Sequence, residues 1–144
     1  MPRIRLARPD DIPAIFTIRT SVRENHLSLS QLTELGITPD SLRSMLEAQA
    51  CLWVAEVDGT VAGFSMIDAE DGCLFAAFVA PQAEGRGLGR LLVETAEEAL
   101  FRTHSHLWLE TAATSRAAGF YRHLGWAAAG PVSPEGDLRM EKRR

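Results

Sequence analysis

Leu74-Phe75-Ala76-Ala77-Phe78-Val79-Ala80-Pro81-Gln82-Ala83-Glu84-Gly85-Arg86-Gly87-Leu88-Gly89-Arg90-Leu91-Leu92 is the stretch that decides the fold. It opens on an apolar run, residues 74–79, stopped by Ala80-Pro81. It runs into a segment whose apolar residues Leu88, Leu91, Leu92, Ala96, Ala99 and Leu100 recur at helical spacing. The order is strand, glycine-rich turn, helix. Gly85, Gly87 and Gly89 carry no Cβ to hold a ligand off the backbone. The helix start supplies unpaired N–H groups backed by the positive end of its dipole. Arg86 and Arg90 add charge beside them. Such a turn is either a simple helix cap or an anion cradle suited to a phosphate-bearing cofactor. It lacks the Gly-Lys-Ser/Thr ending of a nucleoside-triphosphatase loop. It also lacks the acidic residue about twenty positions on that holds the ribose in a Rossmann unit.

A second stretch, Thr114-Ser115-Arg116-Ala117-Ala118-Gly119-Phe120-Tyr121-Arg122-His123-Leu124-Gly125-Trp126, reads as a short helix. Thr114 or Ser115 can cap its start, and Gly125 is a left-handed stop after Leu124. Phe120 and Leu124 share a face, with Tyr121, the chain's one tyrosine, about 100° round from Phe120.

Together these two stretches resemble the signatures of the GNAT-type N-acetyltransferases. The family's pyrophosphate loop, Gln/Arg-x-x-Gly-x-Gly/Ala, is matched by Glu84, Gly87 and Gly89, preceded by Val79-x-Pro81. Its second signature, Asn-x-x-Ala-x-x-Phe-Tyr-x-x-x-Gly-Phe, is matched from Thr114 to Trp126. Glu84 replaces the usual Gln or Arg, Thr114 the usual Asn, and Trp126 the usual Phe. A carboxylate at Glu84 repels phosphate, so binding should rest on backbone N–H groups and arginines.

The resemblance implies acetyl-CoA as acyl donor. Its pyrophosphate would lie on Glu84, Gly85, Arg86, Gly87, Leu88, Gly89 and Arg90, with Thr114, Arg116 and Phe120 nearby. Its pantetheine arm would bond to the backbone of Ala77, Phe78 and Val79 like an added strand. The strands ending at Val79 and Glu110 would splay to admit it. Tyr121 falls on the family's general-acid position. With a pKa near 10, a tyrosine hydroxyl can protonate a leaving thiolate at neutral pH. Attack needs a neutral amine, which for a group of pKa about 10.4 costs roughly 4 to 5 kcal/mol at neutrality. Glu110 is the first candidate for the proton's path, Glu24 the second and Asp68 the third. Backbone N–H near Phe78 or Val79 would steady the oxyanion. Arg23, Glu24 and Asn25 lie where the family places its acceptor loop. The acceptor is then a primary amine of a small molecule or peptide, attacking directly in a ternary complex. The alternative is a non-catalytic acyl-CoA-binding module of the same fold.

Composition sets bounds. At 144 residues and 46% apolar, residues 1–144 read as a single domain with a real core. A net charge of −4 argues against broad nucleic-acid binding. No run is long enough for a membrane span, and the start of the chain lacks a signal peptide's apolar segment. Cys51 and Cys73 form no motif and read as buried thiols of a reducing cytoplasm. His104-Ser105-His106 reads as favourable charge at a helix end, with no metal site expected. A homodimer is compatible with all of this.

Elsewhere, Ile4–Ala7 reads as a first strand, and Ile12, Ile15, Phe16 and Ile18 as a helical stripe. Residues 21–39 read as irregular, and Ser41 to about Gln49 as a helix. Asp58-Gly59 joins two strands in a hairpin. Leu107–Glu110, Trp126–Ala129 and Leu138–Met140 supply the remaining strands. The order βααβββαβαββ implies an α/β fold, a GNAT-like mixed central sheet with helices on both faces.

Overall fold

The structure, a computed structural model, describes residues 2–22 and 27–144. Strand β1 (Arg3–Leu6) leads into helices α1 (Ile12–Ser21), α2 (Leu29–Glu34) and α3 (Pro39–Ala48). Strands β2 (Leu52–Val57), β3 (Thr60–Asp68) and β4 (Cys73–Val79) follow as a meander. Then come α4 (Leu88–Phe101), β5 (His106–Ala112), α5 (Arg116–His123), β6 (Ala127–Ala128) and β7 (Asp137–Arg143). The expected mixed sheet is present, in the order β1-β2-β3-β4-β5-β7-β6, with only β4 and β5 parallel.

Alternation along β3 sorts the two helical layers. Ser65 donates to the Leu92 carbonyl of α4 at 3.1 Å, while Phe64 and Met66 meet Ile15 and Phe16 of α1 on the other face. Four successive residues of β2, Leu52 to Ala55, are therefore buried on both sides. From α4, Leu88, Leu92, Val93, Ala96 and Leu100 pack onto the sheet, as their spacing requires. The hairpin turn forms with Asp58 at φ 52° and Gly59 at φ 79°, the two left-handed residues a type I′ turn demands.

Two segments differ from the reading of the sequence. The stretch expected to be irregular contains α2, whose start is closed by a reciprocal Ser28–Gln31 capping box. One turn and a half of helix is too short for an apolar stripe to register. Strand β7 runs three residues past Met140, because its alternate residues Arg139 and Glu141 face outward and pair with each other at 3.0 Å. The ladder with β5, from His106↔Arg143 to Ala112↔Asp137, buries Leu107, Leu109, Leu138 and Met140 on its core face and carries those charges on the other.

Candidate active site

The parallel neighbours β4 and β5 share a single register pair, Cys73↔Trp108, with Trp108 N–H donating to the Gly72 carbonyl at 3.1 Å. Beyond that pair the strands part. A bulge at Phe75, where β3 pairs Met66 with Ala76 and Ile67 with Leu74, starts the departure. From there to Val79 the β5-side edge of β4 has no strand partner among the described residues. This is the splay expected between the two strands.

A cleft of about 610 Å³ fills the fork. One wall is the backbone of Ala77, Phe78 and Val79; the floor is Glu84, Gly85, Gly87, Leu88, Gly89 and Arg90. Arg116, Phe120 and Tyr121 of α5 close the other side. Gly85 and Gly87 both sit at φ 80°, a conformation that L side chains rarely adopt. A Cβ built on either would meet nothing within 4 Å, so the space above the turn is open. Gly89 is different: a Cβ there would come within 3.3 Å of Phe120 Cζ, so this glycine lets α5 close against α4. The donors, the open turn and the arginines fit a pyrophosphate.

Side chains around the turn are already engaged. Arg116 lies 3.7 Å from Glu84, both largely exposed, so an arginine of α5 draws the carboxylate aside. Arg90 pairs with Glu94 one turn along α4 at 3.3 Å. Leu88 is buried in the core, leaving its backbone N–H as the group it offers. Arg86 and Thr114, expected at the cofactor, do not line the cleft. The cap of α5 is Ser115, whose hydroxyl accepts from Ala118 N–H at 3.3 Å, and Thr114 stays in the exposed turn before it.

Tyr121 reaches the cleft although only 8% of it is exposed. Its ring rests against Phe120 and Trp126, at centroid distances of 5.5 and 6.1 Å. Burial pushes the hydroxyl's pKa up, so it stays protonated throughout the neutral range. Its hydroxyl makes no hydrogen bond among the described residues, which leaves it available to a ligand.

Glu110 does not line the cleft. It is an exposed residue of β5, two positions past the last β4–β5 pair and in register with Arg139. Burial, reinforced by the charges of Asp68, Asp71 and Glu110, pushes the Cys73 thiol up to about 12. Two expected proton acceptors, Glu110 and Asp68, therefore gather at the root of the fork. Cys73 between them is held as a thiol, unsuited to act as a nucleophile. Arg23, Glu24, Asn25 and His26 lie outside the described residues.

The sequence reading missed Val22, Pro81, Ala83 and Ala117 in the cleft lining. It also missed Arg19, whose half-buried guanidinium sits 4.3 Å over the Phe78 ring and whose pKa burial lowers. Pro81, Ala83 and Ala117 lie within or beside the two signature stretches, whereas Val22 and Arg19 carry no motif and are brought in by the packing of α1. The two histidines serve as local fasteners. His104 bonds to the Ala69 carbonyl and His106 to Glu141, each at 2.7 Å. Among the described residues no cluster of ligating side chains could hold a metal ion. Nor is any helix of the described chain long and apolar enough to cross a membrane.

The chain that builds this parted pair of strands over an open glycine turn belongs to the acetyltransferase (GNAT) domain family, matched over residues 48–128. A relative from Escherichia coli strain K12, peptidyl-lysine N-acetyltransferase YiaC, is 37% identical over 86 residues. That match covers 59% of this chain and 56% of the relative's length. Among solved structures, the PaiA N-acetyltransferase of Thermoplasma acidophilum in complex with coenzyme A superposes with a TM-score of 0.80 at 16% identity. It covers 100% of this chain and 99% of that one. YncA of Salmonella typhimurium, a putative acetyltransferase solved with acetyl-CoA, gives a TM-score of 0.75 at 19% identity, covering 99% and 94%.

Proposed function

We propose that residues 1–144 form one acetyl-CoA-dependent N-acetyltransferase domain that acylates a primary amine of a small molecule or peptide. The observation that carries this reading is the continuous cleft from the Gly85–Gly89 turn to the Tyr121 hydroxyl along an unpaired strand edge. The coenzyme A and acetyl-CoA bound in the two structural neighbours, and the peptidyl-lysine activity in the relative's name, support it. Acetyl-CoA supplies the activated acyl group. The N–H groups of the turn hold its pyrophosphate, with Arg90 and Arg116 beside them. The free edge at Ala77–Val79 takes the pantetheine arm as an added strand, and an N–H there steadies the carbonyl oxygen.

The residues then divide the proton work. Because neither Glu110 nor Asp68 lines the cleft, the amine's proton leaves through water toward these carboxylates at the root of the fork, and Tyr121 gives one to the departing sulfur. Neither cysteine takes part: Cys51 and Cys73 are buried free thiols, as suits a reducing cytoplasm. Tyr121, kept protonated by burial and with a hydroxyl that makes no hydrogen bond among the described residues, favours the enzyme over a non-catalytic acyl-CoA-binding module. Thiol release from acetyl-CoA with an amine panel, led by lysine-containing peptides and followed by polyamines and free amino acids, tests the reading. Amine-dependent release above the acetyl-CoA-only rate is expected. Tight binding without release for any amine would establish the module instead.

A further inference from the structure

The part of α5 that faces away from the cleft is tied down by a buried polar network. Glu97 of α4, 6% exposed, accepts two hydrogen bonds: from the Trp126 indole N–H at 2.9 Å and from the Lys142 ammonium of β7 at 2.8 Å. Lys142 donates again, to the Leu124 carbonyl at 2.8 Å. Leu124 and Trp126 in turn donate their N–H groups to the Tyr121 carbonyl, each at 3.0 Å. The Trp126 ring meets the Tyr121 ring edge-on, 65° between planes. Three elements separated by 29 and 45 residues thus converge on one carboxylate. Both backbone and ring of Tyr121 rest on its partners.

We infer that Glu97 is a positioning residue for Tyr121, fixing where the hydroxyl enters the cleft through Trp126 and Lys142. This rests on the general-acid reading of Tyr121. The chemistry of the acceptor explains why a carboxylate stands there. Its two oxygens satisfy two different donors at once, and no neutral side chain of the same shape does so. In Glu97→Gln the amide oxygen serves only one of them, and the amide NH₂ confronts the other. Either the indole or the ammonium must move, and the end of α5 moves with it. A phenylalanine in place of Trp126 has no N–H to give, so the arrangement depends on the tryptophan this chain carries. On the cleft side, the neighbouring Phe120 is seated against Gly89. Tyr121 is thus held between the α4 contact of Phe120 and the network below Trp126.

The test uses Glu97→Gln and Lys142→Gln, neither of which removes a group touching the Tyr121 ring, each made alone and combined with Tyr121→Phe. Turnover, acetyl-CoA affinity and cooperative melting are measured for all. With a single tyrosine in the chain, 3-fluorotyrosine labelling also gives one fluorine resonance that reports the ring directly. Each single variant is expected to lower kcat about tenfold, within the hundredfold that a 1 Å misplacement can cost. Acetyl-CoA affinity stays within about twofold, the fluorine resonance moves, and kcat falls no further in the Tyr121→Phe background. Equal losses with and without the tyrosine hydroxyl, or an unmoved resonance in a folded variant, would overturn the inference. Near-normal turnover in Tyr121→Phe alone would instead remove the general-acid reading. The resonance would still say whether Glu97 holds the ring.

Discussion

The sheet is two ladders joined at one point. On one side β1 to β4 pair antiparallel, with a register shift in each of the β2–β3 and β3–β4 pairings, from Arg3↔Glu56 through Asp68↔Cys73. On the other, β7 pairs along the whole of β5 and with the short β6. Between them stands Cys73↔Trp108 alone. Each half carries its own charged knot. Arg5 holds Asp11 through two bonds at 2.8 and 2.9 Å and Glu56 at 2.9 Å, joining β1, β2 and the start of α1. Glu97, Lys142 and Trp126 do the same for α4, β7 and α5. The first knot sits in a continuous ladder and touches nothing in the cleft. The second borders a gap where backbone groups are left for a ligand. The site thus takes its strand edge from one half and Tyr121 from the other, and α4, packed across both, keeps them in one piece.

Tyr121→Phe breaks the comparison most strongly on the chemical side. It should lower kcat by roughly 10²–10⁴, the usual contribution of a positioned proton donor, while acetyl-CoA affinity stays within a fewfold. Steady-state rates measured where chemistry is limiting give the answer. Melting temperature should hardly respond, since the ring and its packing survive.

Arg5→Met is the matching change in the other half. It strands Asp11 and Glu56, whose side chains are 8% and 19% exposed. Removing one partner of a fully buried pair costs roughly 3–5 kcal/mol; with this much exposure about 2–3 kcal/mol is expected in denaturant unfolding. Acetyl-CoA affinity should be unchanged in the folded fraction. The same knot sets an acid limit. Hydrogen bonds from Arg5, ahead of the Arg8 backbone N–H, hold the Asp11 carboxyl below its ordinary value. Its contribution is complete above the unfolded value near 3.9 and disappears as pH falls through the lower native one. Unfolding of Asp11→Asn followed from pH 6 downward should therefore lose the wild-type advantage at the acid end.

Glu84→Gln should matter least. The carboxylate faces Arg116 across 3.7 Å in an exposed setting, and such pairs contribute about 0–1 kcal/mol. Calorimetric titration at two salt concentrations should show acetyl-CoA affinity altered less than about fivefold. A large tightening at low salt would place the carboxylate against the phosphates instead.

What was readable in the sequence follows the same division. The glycine turn, the Asp58-Gly59 hairpin and the Tyr121 helix are local, and each has a side-chain or backbone reason within a few residues. The fork between Val79 and Glu110 was legible only through the resemblance, since no periodicity records which strands lose their partners. Helix α2 left a signal, the Ser28-x-x-Gln31 box beside Leu29, Leu32 and Leu35, in a helix too short for that spacing to stand out. Glu97 left none. It sits on the apolar face of α4 with partners 29 and 45 residues away, so its purpose exists only once the chain has closed. The apolar run Leu107–Leu109 suggests that Glu110 ends its strand beside the cleft, yet β5 continues to Ala112 and Glu110 lies outside the lining.

The central claim is that the open glycine turn below the fork is the acetyl-CoA phosphate site. Thermal unfolding of the wild type and Gly87→Val, each with and without acetyl-CoA, tests it most directly. Wild type at one hundred times its dissociation constant should gain about 2.7 kcal/mol. Gly87→Val puts a β-branched residue at φ 80°, into the space above the turn, and should lose that protection while its unliganded melt remains cooperative. Equal protection of both proteins would contradict the assignment.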